Sequence, residues 1–480
     1  MKLFRLLLIF SGLILLAFDG SSQTRRVFFY PGLNENPLNW DPVRDRLVSA
    51  SINDLNVSSA NNRFVDYNDN DGLETMVNTA NADLTGFTDG GNGDIAIGHS
   101  LGGLVIRQTE MMAANGGLSP LFEGYITIGT PNMGAPIAAS YKNGEVEDFL
   151  FEGCNRVVTQ PAAAINIWLG SQIAAVPVAW VQVIGTFVSS LTLATNPYVT
   201  MLCNDQIFEN LDGMEQDAIT LEEISNGSDE IIALSAFESQ MKRICIITEE
   251  VSPVHWKLAG SQDVTDWPIN DLENWSDLEV ATQVAGGRAQ MNNISIVLFG
   301  IAVANTIETI FFFSWHKLVA SVSATTAAIS LRRAISWIDN TETRYNILIG
   351  ATETVNVAFN DPTPSLSQNC INAWAASGIA QWEAWYYGVL NNEEQNNCYP
   401  DIQSIEFQNS TKSDGFIPYV HQQIPDIAMG GTDDIIIEID QNNSNGVNHA
   451  EHMNHERIHE LYENIFTGLE DNVDGWWNAN

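Results

Sequence analysis

Residues 93–113 read GDIAIGHSLGGLVIRQTEMMA. Asp94 to Ile97 is a short apolar run that reads as a buried strand. Leu101 to Ala113 then carries Leu101, Leu104, Val105, Met111 and Met112 at helical spacing. Between them lies Gly98-His99-Ser100-Leu101-Gly102, a G-x-S-x-G turn. A strand-to-helix turn this sharp strains the serine backbone and lifts its hydroxyl clear of the sheet. Gly98 and Gly102 stand where a side chain would strike the neighbouring strand or helix, and Gly103 lets the helix pack closely. The N–H of Leu101, at the helix start, then points at an oxyanion forming on a substrate bound to Ser100. A Gly-rich turn without chemistry is the competing explanation, and the flanking strand and helix weigh against it.

Two further segments share this logic. Arg26 to Tyr30 (RVFFY) is a strand followed by Pro31-Gly32-Leu33-Asn34. Gly124 to Pro136 (GYITIGTPNMGAP) is a strand over Tyr125 to Ile128 ending in a Gly- and Pro-rich loop. Together with GHSLGG, these stretches resemble the lipase and esterase branch of the α/β-hydrolases, in particular bacterial triacylglycerol lipases and GPI inositol-deacylase-like proteins. The resemblance implies a minimal α/β-hydrolase, a mostly parallel sheet flanked by helices. It covers the core only, a minority of the chain. Pro31 stands where the H-G-x loop of lipases carries His. The donor there is backbone, so the Leu33 N–H is implied as a second oxyanion donor beside that of Leu101.

The family order is nucleophile, acid, histidine. Ser404 to Gln408 (SIEFQ) reads as a strand leading into Ser413-Asp414-Gly415-Phe416-Ile417-Pro418. By itself Asp414-Gly415 is an ordinary turn signal. The segment resembles the S/N-D-G-x-V-P stretch of those lipases, which implies Asp414 as the acid. Asp434 to Asp440 (DIIIEID) is an apolar strand, Gln441 to Val447 a polar loop, and Asn448-His449-Ala450-Glu451 follows. The last stretch resembles N-H-x-D/E and implies His449 as the general base. Ser100 would form an acyl intermediate, with no organic cofactor. Glu451 occupies the position where part of the family uses an acid to bind structural calcium.

A different chemistry is written in His455-Glu456-Arg457-Ile458-His459. H-E-x-x-H on a helix sets two imidazoles on one face beside a carboxylate, as in zinc peptidases. That reading uses one segment and lacks a recognisable third ligand, whereas the serine reading uses three segments in the right order. His452, His455 and His459 share a helix face, and a solvated face near a C-terminus is their plainer explanation. Acyl transfer with the same three residues, and a surface protein that kept the fold without turnover, also remain open.

The N-terminus, MKLFRLLLIFSGLILLAFDGSS, has a basic start (Lys2, Arg5), an apolar stretch Leu6 to Phe18, and small residues at Gly20 to Ser22. Residues 1–22 are expected to be a signal peptide, which predicts a secreted or periplasmic protein. An uncleaved anchor is the alternative, although the apolar run is short for a membrane span. The five cysteines, an odd number, then sit in a compartment that permits disulfides. Cys154–Cys203 and Cys370–Cys398 would close local loops and leave Cys245 over. Lys plus Arg total 20 against 59 acidic residues, a net charge of −39. Such a chain has no phosphate-tracking surface, and nucleic acid is excluded as a partner.

The expected division is a first core part at 24–136, a mainly helical cap at 137–343, and a second core part at 344–480. Arg344 to Gly350 (RYNILIG) is read as the next core strand, and 351–402 as an insertion. Val157 to Asn204 contains no charged side chain, and Gln290 to Ile307 is similarly uncharged. These are buried cap helices, a lid with an apolar underside, or membrane-embedded segments. Apolar surface on this scale is rarely left unused, which favours a lipid or long-chain acyl substrate and contact with a lipid interface through the cap.

Overall fold

The computed structural model describes residues 25–33, 35, 37–52, 55–56, 63–85, 93–119, 121–171, 218–250, 288–289, 291–303, 305, 315–351, 354–359, 402–408, 412–425, 434–439, 447, 449, 452–473 and 475–477. The expected signal peptide, the loop 441–446, Asn448, Glu451, most of the expected insertion 351–402 and Cys203, Cys370 and Cys398 lie outside the described residues.

The strands are β1 (Arg25–Tyr30), β2 (Leu55–Asn56), β3 (Arg63–Phe64), β4 (Ile95–His99), β5 (Gly124–Ile128), β6 (Lys242–Thr248), β7 (Thr354–Phe359), β8 (Ile402–Gln408) and β9 (Asp434–Ile439). The main sheet runs β2-β1-β4-β5-β6-β9, with the short β3 also on β1. Every pairing in it is parallel. The helices that matter for the site are α1 (Asp41–Ser49), α2 (Leu73–Leu84), α3 (Leu101–Ala114), α4 (Pro136–Lys142), α5 (Ile219–Ile224), α6 (Trp315–Ile349) and α7 (Glu456–Thr467).

Alternate side chains of the strands enter two separate apolar clusters, one on each face of the sheet. Val27, Phe29, Ile95, Ile97, Ile126 and Ile244 pack with Leu47 of α1 and Ile458, Tyr462 and Phe466 of α7. Phe28, Tyr30, Ala96 and Tyr125 pack with Val77 of α2 and Leu104 and Val105 of α3. Helices thus cover both faces, which is why the strands read as continuous apolar runs without polar alternation. This is an α/β fold. No helix among the described residues is long and apolar enough to cross a membrane.

Two expectations fail here. Arg344–Ile349 is not a strand but the end of α6, and Gly350 at φ +74° closes it. The apolar run Ile347-Leu348-Ile349 cannot by itself distinguish helix from strand. The longer pattern can, because the buried Leu331, Ala334, Ile338, Thr341, Tyr345 and Leu348 recur every three or four residues. The strand next to β5 is β6, Lys242–Thr248, which lies inside the stretch expected to be cap. Ile402–Gln408 is a strand as read, but it pairs antiparallel with β7 in a separate two-stranded sheet. Of the uncharged stretches, Val157 to Ser171 is helical, and Trp168 is fully buried in the same cluster as Trp337 and Tyr345 of α6. Cys154 is disulfide-bonded, and Cys245 on β6 is a buried free thiol that burial pushes up to about 11.

Candidate active site

Ser100 follows the last residue of β4 and precedes the first of α3, at φ 50° and ψ −122°. Positive φ is costly for a residue with a Cβ, so the surrounding packing must hold it. The three glycines account for that packing. A Cβ on Gly98 would lie 2.7 Å from the Gly103 nitrogen, and one on Gly102 would strike the carbonyls of Tyr30 and Pro31. A Cβ on Gly103 would enter Thr130. The Ser100 N–H donates to the Ile128 carbonyl at 3.0 Å, which ties the turn to the end of β5.

The structure brings Ser100, His449 and Asp414 together. The Ser100 Oγ lies 3.0 Å from His449 Nε2, and His449 Nδ1 lies 2.7 Å from Asp414 Oδ2. The other carboxyl oxygen of Asp414 accepts the N–H groups of Phe416 (3.0 Å) and Ile417 (2.7 Å). The Asp414 carbonyl accepts the His449 N–H at 2.8 Å, so side chain and main chain align the pair. Asp414 is fully buried, and Ser100 and His449 are nearly so. Because Asp414 accepts from Nδ1, it holds His449 in the tautomer whose Nε2 can take the Ser100 proton.

The strand before Asp414, β8, stands outside the main sheet, whereas β9 in the main sheet precedes His449 as expected; the segments that carry the two side chains are held elsewhere. Both dock on the two residues just past β6. The Glu250 N–H donates to the Ser413 carbonyl at 2.8 Å, and Lys412 pairs with Glu249 at 2.8 Å. The Val447 N–H donates to the Glu249 carbonyl at 3.1 Å. Glu249 and Glu250 escaped the sequence reading. Their signal was the apolar run Ile244 to Ile247 immediately before them, typical of a buried parallel strand.

Two more imidazoles surround His449. Its ring centroid is 4.7 Å from that of His99 and 5.3 Å from that of His452. His452 Nε2 hydrogen-bonds Thr248 Oγ1 at 2.8 Å. Burial, reinforced by His99, His449 and His455, holds the His452 pKa well below the usual range. Gly129, at φ +56°, lies against these rings, and a Cβ there would stand 2.6 Å from His452 Cε1. Among the described residues, the one group of ring nitrogens close enough to suggest a metal is His99, His449 and His452. Both nitrogens of His449 are already engaged by Ser100 and Asp414, so a metal there would displace the Ser100 contact.

His455 and His459 do not belong to that group. His455 is not within α7 but caps its N-terminus, where its Nδ1 accepts the Arg457 N–H. His459 Nε2 donates to the Met453 carbonyl at 2.7 Å. His421, unassigned from sequence, hydrogen-bonds the Gly134 carbonyl at 2.7 Å.

Leu33 and Leu101 line a pocket at Ser100 together with Ala135, Ile137, Ile224 and Phe416. Its walls are almost wholly apolar, and the void is about 20 Å³, room for about one water. The array can therefore move a proton from a hydroxyl to an imidazole in a nearly buried setting beside an apolar pocket. Compared with known proteins, the chain matches no family model and no curated protein.

Proposed function

We propose that this chain is a secreted serine hydrolase of the α/β-hydrolase superfamily that cleaves carboxylic esters of lipids or other long-chain acyl compounds. The observation that carries the reading is the unbroken line from Ser100 Oγ through His449 to Asp414, with Ser100 at a strained φ of 50°. In this reaction the Ser100 oxygen attacks the ester carbonyl while His449 Nε2 takes its proton. The backbone N–H groups of Leu33 and Leu101 stabilise the oxyanion. His449 returns the proton to the leaving alcohol, which leaves an acyl-Ser100 that water then hydrolyses. Asp414 stabilises the imidazolium during both halves.

The acyl preference rests on the pocket. The side chains of Leu33, Ile137, Ile224, Phe416 and Ile417 offer no polar group to a substrate, so they favour an alkyl chain over a charged or hydroxylated one. The signal peptide, the secreted location and the cap over the site belong to the same proposal. The deciding experiment offers p-nitrophenyl esters from short to long chain, with and without a lipid interface. Wild-type protein should turn over and Ser100→Ala should not. A fluorophosphonate probe should label Ser100. Retained turnover in Ser100→Ala, or a label elsewhere, overturns the proposal. A chelator that abolishes the activity, with Ser100 unlabelled, would favour the H-E-x-x-H reading.

A further inference from the structure

Next to the Ser100 array lies a second carboxyl–imidazole pair that the proposed reaction does not use. Glu35 is nearly buried, with 8% of its side chain exposed. Its Oε2 accepts the Gly32 N–H and faces His99 Nδ1 at 3.3 Å. The Glu35 N–H in turn approaches the Gly32 carbonyl at 3.4 Å, so Gly32 and Glu35 are tied through both main chain and side chain.

The position is electrostatically odd. A carboxylate beside the place where an oxyanion develops opposes that charge. A direct stabilising role in the transition state is therefore the wrong role for Glu35. Its hydrogen bonds point elsewhere. On one side, the Pro31 carbonyl accepts the Tyr67 hydroxyl and lies against Gly102. On the other, Glu35 holds the Gly32 N–H. The two bonds hold the single Pro31–Gly32 peptide from both sides, and the Glu35 N–H on the Gly32 carbonyl holds the next peptide, whose N–H is that of Leu33. Gly32 is where everything converges. A Cβ built there would lie 3.0 Å from His99 Nδ1, 3.1 Å from Ser100 Cβ and 3.2 Å from Glu35 Oε2.

We infer that Glu35 is a positioning residue: it holds the Pro31-Gly32-Leu33 loop against Ser100 and, through His99 Nδ1, seats the His99 ring behind His449. This rests on the ester-hydrolase reading for its kinetic consequence, but not for its structural one. The acceptor function needs only a side-chain oxygen, whereas the pairing with His99 gains from charge.

The test compares Glu35→Gln with Glu35→Ala. Glutamine keeps a side-chain oxygen to accept the Gly32 N–H, and alanine removes it. Glu35→Ala should lower kcat roughly 100-fold, the loss expected when an oxyanion donor is misplaced. KM should stay within about threefold, because ground-state binding in the apolar pocket is untouched. Glu35→Gln should recover most of kcat. Amide hydrogen exchange supplies a readout that needs no turnover. At Gly32 it should accelerate about tenfold or more in Glu35→Ala and stay near wild type in Glu35→Gln. Unchanged Gly32 exchange in Glu35→Ala overturns the inference whatever the enzyme activity. Equal kcat losses in both variants, or a loss carried in KM, also overturn it. If Ser100→Ala retains full turnover, the ester reading alone falls, and the exchange data still decide the role of Glu35.

Discussion

His449 Nε2 and Ser100 Oγ lie 3.0 Å apart across a sequence separation of 349 residues. A contact bought at such a loop-closure cost is hard to explain as packing alone, because neither group is apolar and both are withdrawn from water. If the pair works as a unit, Ser100→Ala and His449→Ala should each lower kcat by about 10⁴–10⁶. The double variant should be no worse than the singles. Steady-state kinetics on one p-nitrophenyl ester checks this. Additive losses would show that the two residues act in separate steps.

Asp414→Asn asks about orientation. The asparagine side chain would present an N–H or an oxygen to His449 Nδ1, and the two backbone donors, Phe416 and Ile417, already claim an oxygen. The amide N–H would then face His449 and favour the tautomer with its proton on Nε2, which cannot accept from Ser100. A loss of roughly 10³–10⁴ in kcat is expected, with a near-UV circular dichroism spectrum unchanged. A loss below tenfold would mean that His449 is oriented by something other than Asp414.

Gly102→Ala tests the turn at Ser100 sterically. Its Cβ would meet the backbone carbonyls of Tyr30 and Pro31, which cannot rotate away as a side chain could. The expected cost is about 1–3 kcal/mol of unfolding free energy, together with loss of Ser100 reactivity toward a fluorophosphonate. By contrast, Gly116→Ala and Gly227→Ala meet nothing within 4 Å, but both positions have positive φ, which makes them strain controls. Should Gly102→Ala match those two in stability and labelling, the close approach is not required.

How far the sequence could be read depended on where the information was local. The turn at Ser100 was legible because strand, turn and helix are contiguous over 93–114, and Gly98, Gly102 and Gly103 each stand where a Cβ would clash. Strands β1, β5 and β9 were legible for the same reason, as apolar runs ending in turn residues. β6 was missed because no motif follows it directly. The segment that completes its end, Ser413-Asp414, arrives from much later in the chain and docks through Glu250. Arg344 to Gly350 reads as a strand only when its seven residues are taken apart from the 35-residue helix they terminate. Glu35 left no sequence signal, and His452, expected on a solvated helix face with His455 and His459, is instead fully buried ahead of that helix, because both take their roles from neighbours remote in the chain.

The burial of His452 predicts a pH effect on stability. Its folded-state pKa is held well below the ordinary 6.5, mainly by desolvation. The unfolded chain binds a proton near that value and the folded protein does not. The contribution of neutral His452 is therefore fully present above about pH 6.5 and declines as pH falls below it toward the folded value. The slope is at most about 1.4 kcal/mol per pH unit. His452→Gln should remove this component. Urea unfolding of both proteins should give a stability difference that is flat above about pH 7 and drifts in favour of the variant below about pH 6. Parallel curves across that range would show that His452 takes up a proton in the folded state as readily as in the unfolded one.

Ile224 tests whether the apolar pocket at Ser100 takes an acyl chain. It closes one wall from α5, and its carbonyl accepts the Ala135 N–H at 2.8 Å. α5 is itself anchored to the start of α2, where Gly72 N–H donates to Thr220 Oγ1 at 3.1 Å and Leu73 N–H donates to Glu223. With a void of only about 20 Å³, an acyl chain must occupy space that a side chain now fills. Ile224→Ala opens that space without touching the α5 anchors. Each further methylene buried there is worth about 0.8 kcal/mol, or about fourfold in kcat/KM. The variant should thus gain on longer esters relative to short ones, at a stability cost of about 2–4 kcal/mol. The measurement is kcat/KM across an ester series for both proteins, well below the unfolding temperature of the variant. If the long-to-short ratio does not change, the chain does not run past Ile224, and the acyl group leaves Ser100 along another wall of the pocket.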